Sequence, residues 1–121
     1  MSNPLKLNKC CYCGKGSDIE KLTREHIIPL SKGGAHHHSN IRLCCKRCNG
    51  HRGNKDLYLW QIEIKNMMLA RDYSLFSFQE LLRVVKNIEF IQLVINNSIP
   101  EMWYSGKIGV IKKPRMIKTY G

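Results

Sequence analysis

Four of the six cysteines fall in two tight pairs, Cys10-x-x-Cys13 and Cys45-x-x-Cys48. At that spacing a turn of backbone presents both sulfurs of a pair to one tetrahedral ion, and the two pairs together supply four thiolate ligands. Zinc held by four thiolates has no open position for water. Such an ion is structural, closing a loop of about 30 residues in a half of the chain too poor in apolar residues to fold alone. The competing reading, two redox-active thiol pairs, lacks the βαβ surroundings that such pairs occupy. Cys11 and Cys44 each adjoin an expected ligand and read as spare. Between the pairs lie Glu25-His26-Ile27-Ile28-Pro29, then Gly33-Gly34, then Asn40; directly after the last cysteine comes Asn49, with Arg52 three residues on.

An acid–histidine dyad, a Gly-Gly loop, a central asparagine and a Cys-x-x-Cys-Asn ending, in that order from residue 10 to about 55, resemble the HNH endonuclease family. The resemblance implies a ββα-metal fold, two antiparallel strands packed on a helix, and metal-dependent hydrolysis of DNA phosphodiester bonds. The demands of that reaction agree with the residues. A base near neutral pKa must activate water, a cation must offset charge on the phosphate and leaving oxygen, and positive groups must hold the backbone. His26 suits the first role, since an unperturbed imidazole titrates near pH 6.5. Glu25 and Asn49 offer the hard oxygen ligands that Mg²⁺ or another divalent cation prefers. Arg52, Lys46 and Arg47 are expected at phosphate. Asn40 is expected to hold the loop by hydrogen bonds so that His26 points correctly.

Two features depart from the family pattern. Glu25 stands where the family often has Asp, and Glu25 and His26 are neighbours on an expected strand, where alternation sends side chains to opposite faces. A bulge or strong twist is therefore expected there. The third family letter is Asn49, and His51 fits its position less well. His36, His37 and His38 read as solvent-exposed, or as a supporting phosphate contact, ahead of a second metal site.

The elements that must position these residues follow from pattern. Leu22 to Pro29 reads as a short strand stopped by Pro29, Gly33 and Gly34; Ile41 to Cys44 reads as a second strand, and Lys46 to Lys55 as an exposed helix. From Leu57 to Tyr73 the spacing of Trp60, Ile64, Met67 and Met68 predicts an amphipathic helix. Ser77 with Glu80 forms a capping box, with Phe76 placed to staple onto Leu81, so another helix is predicted from there to Asn96 or Asn97. The fold class is thus α+β: a zinc-stapled nuclease core over residues 1–56, then a mainly helical part with a basic tail over residues 57–121, the two packed as one domain. The core is expected in the helical part.

Charge fits a polyanionic partner. The formal net charge is +11, and residues 1–55 hold 11 basic against 3 acidic groups. Each Lys or Arg set against a phosphate releases a condensed counterion. The tail cations Lys107, Lys112, Lys113, Arg115 and Lys118 alternate with apolar residues, as a strand or arm along DNA would, or an ordinary surface strand. Neither a secretory signal nor a stretch of roughly 18 apolar residues occurs, so a cytoplasmic protein is expected, with DNA as partner. The rival from another class is a non-catalytic zinc-ribbon module that binds nucleic acid. Such a binder has no use for Glu25, His26 and Asn49 together.

Overall fold

The computed structural model describes residues 8–19, 21–97 and 102. The tail cations, and Pro100 just past the expected end of the last helix, lie outside them. Strands β1 (Leu22–His26) and β2 (Ile41–Cys45) pair antiparallel, in a register running from Leu22 opposite Cys45 to His26 opposite Ile41. One further ladder bond follows, Ile27 N–H to Asn40 O at 2.9 Å. Beyond it the Asn40 side chain replaces the partner strand. Its Oδ1 accepts from Ile28 N–H at 2.9 Å and its Nδ2 donates to Ile28 O at 3.0 Å. The strand expected to reach Pro29 therefore ends at His26, because a carboxamide has taken both backbone groups of Ile28.

Helix α1 (Lys46–Arg52) starts at Cys45, whose sulfur accepts from Cys48 N–H at 3.4 Å. It stops short of the expected Lys55 because Gly53, at φ 58° and ψ −137°, takes a backbone conformation open mainly to glycine and leaves the helical path. Helix α2 (Leu57–Leu69) is capped by Asp56, which accepts from Leu59 N–H at 2.9 Å. The apolar spacing predicted four more residues, but Arg71 at φ 52° breaks the run. Helix α3 (Phe78–Asn96) carries the full capping box: Glu80 N–H to Ser77 Oγ at 3.1 Å and Ser77 N–H to Glu80 Oε1 at 2.9 Å. Phe76 and Leu81 are both fully buried beside it. Among the described residues no helix is long and apolar enough to cross a membrane.

Among the described residues the result is a mixed α+β fold, a two-stranded antiparallel sheet with three α-helices and a cysteine cluster, which is the ββα-metal pattern. The core corrects one expectation. It is not confined to the helical part: the four pair cysteines, Tyr12, Ile27 and Ile28 belong to one buried cluster with Trp60, Ile64, Phe76, Leu81, Val84 and Ile88. Tyr12 meets Trp60 edge-on, centroids 4.8 Å apart. Helix α3 also donates directly to the first cysteine turn, from Arg83 Nε to Cys13 O at 3.0 Å and from Asn87 Nδ2 to Tyr12 O at 2.6 Å.

Candidate metal centre and active site

The Sγ atoms of Cys10, Cys13, Cys45 and Cys48 all lie within 4.8 Å of one another, and all four residues are buried. Tetrahedral zinc with Zn–S bonds near 2.3 Å places its sulfurs about 3.8 Å apart. Cys13 and Cys45 meet that edge length, at 3.7 Å. Backbone amides converge on the sulfurs as well: Tyr12 N–H on Cys10 and Cys48 N–H on Cys45, each at 3.4 Å. Burial pushes the Cys45 thiol up to about 11, and the hydrogen bond to Cys10 drives Cys48 upward. The set can ionise in full only around a cation, so donor chemistry and spacing both fit zinc or a similar ion. Cys44 is buried and points its thiol at Cys45 O (3.4 Å), outside the four-sulfur group.

At the far end of the hairpin the loop from Pro29 to Asn40 is drawn tight. Asn40 is fully buried and spends three polar contacts here, adding Nδ2 to Ala35 O at 2.8 Å to its two bonds with Ile28. Gly34 N–H donates to Pro29 O at 3.0 Å. A Cβ at Gly34 would lie 1.8 Å from Ile28 O, so only glycine lets the loop approach this closely. Ala35 N–H reaches Met102 O at 2.9 Å. His26, half-buried, ends β1 at the mouth of this loop, with its Nε2 at 2.9 Å from His36 Nδ1. Nothing in the sequence separated His36 from the two histidines after it.

Glu25 and His26 stand in an unbroken ladder, opposite Arg42 and Ile41. The expected bulge is not there, and alternation puts the two side chains on opposite faces of the hairpin. Glu25 shares its face with Ile27, which is buried. Asn49 lies one turn before Arg52 on α1, and Arg52 Nη2 donates to Ile27 O at 2.7 Å, tying the end of the helix to the end of β1. The side chains of Glu25 and Asn49 are half-buried, and among the described residues no side-chain hydrogen bond or ion pair engages either of them.

Two of the three cations expected at phosphate are committed elsewhere. Arg52 is 3% exposed, and besides Ile27 O it donates from Nε to Lys55 O at 2.9 Å and from Nη1 to the Tyr12 hydroxyl at 3.0 Å. Arg47 grips Glu80 through two bonds at 3.1 and 2.8 Å, donates to Leu75 O at 2.9 Å and lies 4.4 Å over the Phe76 ring. Both guanidinium groups therefore brace the fold rather than face solvent. The physical reason is the same in each case: a planar fork satisfies several oxygens at once in a partly buried place. Lys46 is exposed at the start of α1. His51 accepts from the buried Trp60 indole at its Nδ1 (2.9 Å), and burial lowers its pKa. It is a packing histidine.

A strand, loop, strand and helix arranged around a four-cysteine centre define the class, a ββα-metal domain. Comparison with known families specifies it further: residues 10–56, under half of the chain, match the model of the HNH endonuclease family. The family acts on nucleic acid. No curated protein and no solved structure matches the chain.

Proposed function

We propose that this protein is a metal-dependent endonuclease that hydrolyses DNA phosphodiester bonds, with zinc at the four cysteines as a structural ion and His26 as the general base. The observation that carries the reading is the Asn40 clamp. Inside a segment matching the HNH endonuclease family, a fully buried carboxamide takes three bonds to fix the backbone immediately after His26. A module that only binds nucleic acid does not require a histidine so closely held.

Glu25 and Asn49 would hold a divalent ion such as Mg²⁺ by donor type. Because Glu25 stands in a regular ladder on the face opposite His26, a twist at the end of β1 would have to accompany ion binding for both residues to serve one phosphate. When bound, the ion offsets charge on the phosphate and on the leaving oxygen. His26 accepts a proton from the water that attacks phosphorus, as the new P–O bond forms and the bond to the leaving oxygen breaks. Lys46 supplies an exposed positive charge at the helix start for a backbone phosphate.

The test is conversion of supercoiled plasmid to nicked or linear product with Mg²⁺. Wild type is expected to cleave, and His26→Ala to retain zinc and DNA binding while losing cleavage. Undiminished cleavage by His26→Ala overturns the assignment of the base. A wild type that binds DNA and never cleaves it leaves the zinc-ribbon binder.

A further inference from the structure

His26 Nε2 and His36 Nδ1 stand 2.9 Å apart, with ring centroids 5.1 Å apart and planes inclined by 40°. Two neutral imidazoles at that distance share one proton, so one ring donates and the other accepts. The loop places His36 there by construction. Ala35, just before it, is anchored on both sides, its N–H on Met102 O and its C=O on Asn40 Nδ2. His37 cannot compete for the place. Its Nδ1 accepts from Ser39 N–H at 3.1 Å and lies 2.8 Å from Ser39 Oγ.

The sense of the shared proton follows from what a base requires. A neutral imidazole has one N–H and one lone pair. If His36 donated to His26 Nε2, that lone pair would be engaged, Nδ1 would carry the proton, and His26 could accept nothing. If His26 donates from Nε2, its Nδ1 lone pair is free. We propose that His36 is a positioning residue for His26: its Nδ1 accepts the Nε2 proton, fixing the ring's orientation and tautomer and leaving His26 Nδ1 as the basic atom. In the reaction a water O–H bond breaks and an N–H bond forms at His26 Nδ1. The resulting imidazolium keeps its Nε2–H on His36 and later releases the Nδ1 proton to solvent. No proton passes between the rings, and the exposed His36 keeps its own on Nε2, where water can take the hydrogen bond.

The catalytic consequence rests on the nuclease reading; the bond and the tautomer do not, and the experiment separates them. Long-range ¹⁵N–¹H spectra of the zinc-loaded protein, at mildly alkaline pH, report which nitrogen of His26 is protonated. Wild type is expected to show the Nε2–H form alone, and His36→Ala a mixture of both forms. His36→Asn, whose Oδ1 stands where the imidazole Nδ1 did, is expected to restore the single form. In plasmid cleavage His36→Ala should lower kcat by about 10-fold or more with KM unchanged, the usual scale for losing an orienting partner, and His36→Asn should recover most of it. An Nδ1–H tautomer in wild type, or a His26 spectrum indifferent to His36→Ala, overturns the proposal even if cleavage by wild type is robust. If wild type does not cleave, the nuclease reading fails, and the spectra alone still decide whether His36 sets the tautomer.

Discussion

Replacing Arg52 distinguishes a buried clamp from a phosphate contact. Its guanidinium, 3% exposed, donates to three neutral oxygens, on Ile27, Tyr12 and Lys55. Removing it leaves a buried carbonyl and a buried hydroxyl short of a donor and opens a void beside Tyr12, whose ring packs on Trp60. Hydrogen bonds to a charged group contribute about 1.5 kcal/mol or more each. Two that are buried and one that is partly buried give about 4 kcal/mol for Arg52→Ala. For a domain of this size, 1 kcal/mol moves the melting temperature by about 4 °C, so the expected fall is about 15 °C. Arg52→Lys is the sharper variant. It keeps the charge but loses the fork, and one ammonium cannot reach all three acceptors, so it should lose more than half as much. Calorimetry gives the melting temperatures, and fluorescence anisotropy with a DNA duplex gives affinity below the transition. A phosphate contact would show the reverse pattern, with unchanged melting, weaker binding and near-complete rescue by lysine. That pattern would refute the clamp.

Other perturbations probe the remaining parts. Cys13→Ser removes one sulfur of the centre, and zinc per chain should drop from one to near zero with loss of the cooperative thermal transition; full zinc content with wild-type melting would remove the centre from the account of the fold. Asn40→Ala unpairs the buried N–H and C=O of Ile28 and the C=O of Ala35, a loss of about 3 kcal/mol that should appear in urea unfolding and as faster amide exchange at Ile28. The two bonds from Arg47 hold the Glu80 carboxyl down at about 2, against an ordinary 4.5. Because the folded value is the lower one, Glu80 stabilises the fold above pH about 4.5 and loses that contribution as the pH falls toward 2. After discounting for solvent screening, Glu80→Gln should cost about 2 kcal/mol at neutral pH, a gap that urea titrations should find closing in acid and that must not widen there.

What could be read in advance was what local chemistry dictates. The cysteine pairs announce their centre because sulfur geometry is set within a single turn of backbone. The capping box at Ser77 and Glu80 involves residues three apart, so nothing distant could change it. The hairpin was legible for the same reason up to the point where Asn40 intervenes: that strand ends early because of a side chain twelve residues away, a contact without periodicity. The arginines show the complementary difficulty. A guanidinium suits a phosphate and a cluster of buried carbonyl oxygens equally well, so residue type could not tell whether Arg47 and Arg52 face DNA or the interior. Their partners decided it, and Glu80, Tyr12 and Ile27 lie 25 to 40 positions away in the chain.

Arg47 and Arg52 hold the second half of the chain and the first cysteine turn in place, so they are not free to release counterions from a polyanion. The positive charge left to face phosphate around the hairpin sits on exposed side chains such as Arg24, two residues before His26 and on its face of the strand, and Lys46 at the start of α1. Charge that binds and charge that braces are thus separate sets. Neutralising Arg24 and Lys46 should flatten the salt dependence of DNA binding by about one unit of slope per residue without moving the melting temperature, whereas changes at Arg47 or Arg52 should move the melting temperature and leave that slope alone.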